Sequence, residues 1–348
     1  MATQTGRAPS WLSETLRRNW MSIGIFILLV LLVLIFVPTF FQGPNLLNVG
    51  RQSALVGIIA IGMTFVILTG GIDLSVGAIL AVSGVTTAML INQGMLLPAA
   101  GACGLLVGAA IGVVNGLGVA LLKIQPFIMT LATMVAAQGL SLRLTNGGPE
   151  QFNGTDGLFT LMGSGDVLGL PGPFVIFLVI SILGILALRY LPFGRFLYAI
   201  GGSMEAARLS GVRTNRVIIV AYAISGLCAG LAGVMTAARL GVGDPTAGSL
   251  SNLDAITAVV IGGTSLAGGI GGAVGTVFGA LLLAVISNVM NLIGISPFDQ
   301  QIVKGAVIVI AVLLAARGAR RRFRERTPAR SAEDETPQPN QPSAPVAA

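Results

Sequence analysis

Apolar residues run along this chain in stretches of about twenty, broken by short segments rich in Gly, Pro and charged residues. A bilayer core about 30 Å thick takes roughly 20 residues of helix, so each stretch is read as a candidate span. The first covers residues 21–40, holds no charged residue, and follows Arg17 and Arg18. It is longer than the core of a signal peptide and no small-x-small cleavage site follows it, so it reads as a retained anchor. Further stretches lie near 52–69, 74–91, 96–121, 126–144, 173–191, 217–238, 255–267, 273–293 and 301–316. The pattern predicts an all-α polytopic membrane protein with about ten transmembrane helices. The eighth stretch is short and Gly-rich, so the full spans number eight to ten, with broken or re-entrant pieces allowed.

Charge placement sets the orientation, because cytoplasmic connections collect Lys and Arg. With the N-terminus inside and ten spans, sixteen of the 20 Lys and Arg fall on or near the cytoplasmic side. Only Arg51, Arg143, Arg239 and Lys304 lie toward the outside, where Glu150, Asp156, Asp166, Asp244, Asp254 and Asp299 also fall. Three regions follow. Residues 1–20 form a cytoplasmic N-terminal segment, 21–316 a transmembrane domain, and 317–348 a basic then acidic, Pro-rich tail that cannot bury a core and is expected to be disordered in the cytoplasm. The connection from Thr145 to Pro173 reads as the main outer loop.

Gly104, Gly108, Gly112 and Gly116 recur every fourth residue, as do Gly271, Gly275 and Gly279. On a helix that spacing makes a smooth stripe where a neighbouring backbone comes close, so both helices are expected inside a bundle. TGGIDLSVG (69–77) and AGGIGGAVG (267–275) are similar in sequence. Two such turns in corresponding halves fit an internal repeat with broken helices beside a pathway.

Composition narrows the chemistry. Charged residues make up 9% of the chain, against roughly 25% in soluble domains, and there is no His. Imidazole catalysis and the commonest zinc sites are excluded. Cys103 and Cys228 sit apart in apolar runs, as two small buried residues rather than a redox pair. The net charge is +7, and of the 20 Lys and Arg seven fall between Arg317 and Arg330, right after the last apolar run, which favours a membrane edge over nucleic acid. Neither Lys123 nor Lys304 lies in a phosphate loop, and no GxSxG elbow occurs, so the chain is not expected to hydrolyse ATP or act as a membrane esterase.

Asp73 is embedded between apolar stretches, and an unpaired charge at that depth costs several kcal/mol. Three readings stand: a cap for a helix starting at Leu74, a wall of the translocation path, or a solvated group at the cytoplasmic edge. The cap is favoured, since Asp stabilises the amides of a first turn. Asn115, Gln138, Ser287, Asn288 and Asn291 are candidates to line a substrate pathway, although interhelical hydrogen bonding is the commoner use of such side chains. Lys304 lies where its stem can snorkel, and is left unassigned. In the cytoplasmic segment 191–216, Ser203 can cap a short helix with Glu205 in its first turn and Arg208 later, and Gly211 is placed to end it. Such a helix outside the lipid suits a docking lever, or else is a solvated connector.

Four segments carry a resemblance: TGGIDLSVGAILAVSG (69–84), VVNGLGVALLKIQPFIMTLATM (113–134), FGRFLYAIGGSMEAARLSGV (193–212) and VVIGGTSLAGGIGGAVGTVFGALLL (259–283). Over residues 20–316 the chain resembles the ribose-type permease family of bacterial ABC sugar importers. The resemblance implies a multi-pass plasma-membrane subunit working as a pair, homodimer or heterodimer, with both termini cytoplasmic. It also implies a cytoplasmic ABC ATPase and an extracytoplasmic sugar-binding protein as partners. The chain itself would bind no cofactor, and the ATPase would use ATP and Mg. The segment EAARLSG would correspond to the coupling helix, with Glu205, Ala206, Ala207, Arg208, Leu209 and Gly211 as contacts. The cargo expected on this basis is a monosaccharide resembling ribose, xylose, arabinose or galactose. Permeases for an autoinducer or a nucleoside share the broad pattern. An ion-coupled secondary transporter is a further alternative, with Asp73 as its one candidate acid.

Overall fold

The computed structural model describes residues 10–154 and 156–326. The helices are α1 (Ser10–Phe36), α2 (Gly43–Leu68), α3 (Val76–Asn92), α4 (Leu97–Ala120), α5 (Pro126–Leu144), α6 (Gly157–Gly163), α7 (Gly172–Tyr190), α8 (Pro192–Gly202), α9 (Met204–Leu209), α10 (Thr214–Leu240), α11 (Ser251–Ile261), α12 (Ala273–Leu292) and α13 (Pro297–Arg326). Among them α2, α4, α5, α7, α10 and α12 are long and apolar enough to cross a membrane, while α3, α11 and residues 22–36 of α1 form shorter apolar helices. The protein is an all-α polytopic membrane protein.

Each of the ten apolar stretches holds a helix, but several boundaries differ. Helix α1 begins at Ser10, so helix extends into the segment before Met21, and α13 runs on to Arg326, beyond residue 316. The acidic, Pro-rich stretch 331–348 lies outside the described residues. Proline marks many helix starts: Pro44, Pro98, Pro126, Pro173 and Pro192 each stand in a first turn, where a missing N–H costs nothing. The predicted eighth span, 255–267, shrinks to the eleven residues of α11, because Gly262 to Gly272 leave the helix. Gly271, with φ +127°, belongs to that turn and not to the helical stripe expected for it.

Helices α2 and α10 form the centre, buried on most of their circumference. The α4 stripe does what its spacing predicts. A Cβ at Gly112 would collide with the Tyr222 carbonyl, and one at Gly108 would stand 2.6 Å from the Gly226 carbonyl oxygen. Backbone therefore lies directly on backbone along the α4–α10 contact, while Leu106 and Val114 on the opposite side of α4 are exposed.

The two Gly-rich turns also meet. Gly269 N–H donates to the Leu68 carbonyl at 3.0 Å, which joins the turn after α11 to the end of α2. Gly201 of α8 closes the contact from the other side, since a Cβ there would strike both Leu68 O and Gly269 N. The segment expected as an outer loop is a folded cap. It contains α6, a short antiparallel pair (Asp166–Val167 with Leu170–Pro171), and Glu150–Gln151 paired with Val242–Gly243. Phe152 and Phe159 anchor it against Ala88, Ala100 and Val234.

Overpacking the central seam should weaken the fold locally: Gly112→Ala and Gly226→Ala are each expected to cost about 1–3 kcal/mol. Gly139→Ala on α5, where a Cβ meets nothing within 4 Å, is expected to be neutral or stabilising by up to about 1 kcal/mol. Thermal-aggregation midpoints of the detergent-purified variants check the contrast.

Candidate functional site

Helix α2 stops at Leu68 and α3 starts at Val76, leaving residues 69–75 as a non-helical turn inside the bundle. Asp73 in this turn is 0% exposed, so the solvated reading of this residue falls away. The capping reading survives in altered form. The helix begins at Val76, not Leu74, and its N-cap is Ser75. Asp73 instead fixes that cap residue: Ser75 N–H and Ser75 Oγ–H donate to Asp73 Oδ1 at 3.0 and 2.6 Å. Ser225 of α10 donates to Asp73 Oδ2 at 2.8 Å.

The network continues outward. Asn115 of α4 donates to Ser75 Oγ at 2.8 Å, and Thr133 of α5 donates to Asn115 Oδ1 at 2.7 Å. The Ile72 carbonyl accepts from Tyr222 of α10 and Thr130 of α5, each at 3.3 Å. One turn, buried at Thr69, Gly71, Asp73 and Ser75, is thus tied to α4, α5 and α10 by neutral donors. No Lys or Arg pairs with Asp73 among the described residues. The donors supply what water would otherwise give the carboxyl group and the freed backbone.

The other predicted pathway residues are dispersed. Gln138 donates to the Pro245 carbonyl at 2.7 Å, linking α5 to the loop before α11. Asn288 exchanges two amide hydrogen bonds with Asn45, at 2.8 and 2.9 Å, and so joins α12 to α2. Asn291 accepts from Gln300 at 2.7 Å, across the α12–α13 connection. Asn115 alone joins Asp73; all four have protein partners.

The segment 191–216 forms the expected short helix. Ser203 Oγ accepts from Ala206 N–H at 3.2 Å, which makes it the N-cap of α9. At the other end Gly211, with φ +83°, donates to Arg208 O, and Val212 N–H donates to Ala207 O, both at 3.0 Å. This is a Schellman stop, and its left-handed residue favours Gly. Ala207 alone in α9 is buried. Glu205, Ala206, Arg208 and Leu209 face outward, Leu209 being 79% exposed, and Arg208 pairs with Glu205 at 2.9 Å. On the same side Lys123 donates to Asn215 at 3.1 Å, and the two flank a groove shared with Glu205, Arg208, Arg213 and Arg216.

The family described as "Branched-chain amino acid transport system / permease component" matches residues 45–312. The ribose import permease protein of Bacillus subtilis (strain 168) is 48% identical over 292 residues, covering 84% of this chain and 90% of the relative. The chain belongs to the ribose-type ABC permease family. The galactofuranose transporter permease protein of Escherichia coli (strain K12) is 42% identical over 269 residues, 77% of this chain and 78% of its own. The xylose transport system permease protein of the same strain is 34% identical over 342 residues, 81% and 87% of the two chains. No solved structure matches.

For this ABC permease, the sequence reading missed most of the Asp73 shell. Ser75, Ser225, Tyr222 and Thr133 are ordinary residues of apolar helices until the fold sets them around one turn. It also left Lys304 unassigned, whereas Lys304 Nζ reaches Asp254 Oδ2 at 2.9 Å. A Lys and an Asp on two late apolar helices were the available signal.

Replacing Asp73 separates acceptor from charge. Asp73→Ala orphans the Ser75 amide and is expected to destabilise by about 1–3 kcal/mol. Asp73→Asn keeps an acceptor for Ser75 and offers Ser225 a donor, so most of that stability should return. Equal loss in both variants, read by protease resistance of purified protein, would show that the negative charge itself is required.

Proposed function

We propose that this permease imports a monosaccharide, pentose or hexose, delivered by an extracytoplasmic binding protein and driven by a separate cytoplasmic ATPase. The single observation that carries the mechanism is α9: a capped, outward-facing helix with a bare Leu209, held between α8 and α10. Glu205, Ala206, Arg208, Leu209 and Gly211 form the proposed docking lever, while Ala207, also expected as a contact, is buried and seats α9 on the bundle. Small residues let a groove approach closely, and Arg208 offers a charge to an acidic wall. The sugar class is supported by relatives named for ribose, galactofuranose and xylose. ATP and Mg are assigned to the partner ATPase; this chain is proposed to be no enzyme and to bind no cofactor.

The geometry supports a route for force. Helix α10 starts five residues after α9 ends, and Ser225 lies eleven residues into it, about 16 Å along the axis. Ser225 and Tyr222 both hold the turn around Asp73, so a shift of α9 that moves α10 pulls on the only connection between α2 and α3. The turn after α11 rests on the same α2 end and on Gly201 of α8, giving the lever a second point of contact. A lever that biases two packings of such a bundle is a rigid-body switch of the hinge-and-shear type. Asp73 serves here as a tie within that switch and has a weaker case as a pathway residue.

The orientation proposed places both termini and α9 in the cytoplasm. It is supported by Lys123, Arg189, Arg195, Arg208, Arg213 and Arg216 gathering at one set of helix ends.

Leu209→Asp and Gly211→Val should each lower ATP-dependent [14C]ribose uptake and ATPase co-purification by about tenfold, a loss of about 1.4 kcal/mol in association, while membrane insertion is unchanged. Uptake that survives ATP depletion and collapses with the proton gradient would instead identify an ion-coupled carrier.

A further inference from the structure

Several polar residues with free hydrogen-bonding capacity line one space elsewhere in the bundle. Between α2, α3, α10, α11, α12 and α13 there is a cavity of about 290 Å³. Gln52, Thr236, Arg239, Asp254, Ser287 and Lys304 line it, over an apolar floor that includes Leu55, Val56 and Leu80. Asp254 and Lys304 pair at 2.9 Å across the α11–α13 contact, with side chains 19% and 28% exposed. The side chains of Gln52, Arg239 and Ser287 make no hydrogen bond or ion pair among the described residues, in contrast to Asn115, Gln138, Asn288 and Asn291. The part-buried amide of Gln52 and hydroxyl of Ser287, with the exposed Arg239 guanidinium beside them, face one cavity in a bundle of apolar helices and take water or a solute as partner.

We propose that this cavity is a transit site for one polyhydroxylated solute, held by the Asp254–Lys304 pair together with Gln52, Arg239 and Ser287. The chemistry of the lining selects that class. A carboxylate only accepts hydrogen bonds and Lys or Arg only donates, whereas a sugar hydroxyl does both, so a ring bearing several hydroxyls can satisfy all of them together. The apolar floor suits the C–H face of the ring. The opposite charges of Asp254 and Lys304 sit against each other, so a neutral guest meets a dipole and needs no counter-ion. The volume falls at the low end of the roughly 300–1,000 Å³ of small-molecule sites, room for a single ring. No aromatic side chain stacks on the guest, which keeps its stay brief. This inference rests on the sugar-import reading above and adds where the sugar passes.

The test uses the complete transporter in proteoliposomes, with its ATPase and binding protein. Gln52→Cys is exposed to a charged, membrane-impermeant methanethiosulfonate, and the wild-type chain with Cys103 and Cys228 supplies the labelling blank. The modified variant should lose [14C]ribose uptake by about tenfold while keeping ATP hydrolysis within about twofold. Ile182→Cys on the exposed face of α7 should stay unlabelled. Failure of the reagent to reach residue 52, or full labelling with uptake intact, overturns the transit site. Ser287→Cys, on the opposite wall, is read by the same criteria if Gln52→Cys does not assemble. A wild-type complex that moves no sugar at all, although its ATPase responds to the binding protein, overturns the sugar reading itself and is distinguishable from both results.

Discussion

A polypeptide that leaves the helix inside a lipid-facing bundle must find a protein partner for every backbone group it frees, because no water is there to accept or donate. Residues 69–75 are organised by this constraint. Asp73 takes three donors, the Ile72 carbonyl takes two hydroxyls, and the last carbonyl of α2 is answered by Gly269 from the other end of the sequence. The helices that supply these donors are thereby fixed in register to one turn. A charged partner would have to be desolvated as well, and neutral hydroxyls avoid that cost.

The same turn links α9, through α10, to the bundle. Glycine lets α8 and the turn after α11 press onto the end of α2 at backbone distance, and serine and tyrosine of α10 hold Asp73 and Ile72. A contact made of backbone on backbone has little slack, since no long side chain can rotate to absorb a displacement. Under the proposed mechanism, motion applied near α9 would be passed on as movement of whole helices. The region between α11, α12 and α13 is built differently, with an open cavity and an ion pair in place of backbone-on-backbone contact.

Polar side chains in this protein thus fall into two kinds. Asn288, Asn291, Gln138 and Asn115 are each engaged in at least one contact between elements. Gln52, Arg239 and Ser287 keep their capacity open toward one space. Residue type does not separate the two kinds; the presence of a neighbour within hydrogen-bond reach does.

Hydropathy along the chain was enough to locate ten helices, because burial in lipid demands apolar length whatever the packing partner. Four-residue glycine spacing was enough to mark α4 as a close-packed helix, and the Ser203 and Gly211 signals were enough to bound α9, since caps act within one turn of their own sequence. The folded cap in place of an outer loop and the shell around Asp73 were settled only in three dimensions. Each depends on residues that are far apart in the chain, as with Asp73 and Ser225 or Asp254 and Lys304. Local propensity carries no information about a hydrogen bond whose donor sits 152 residues away.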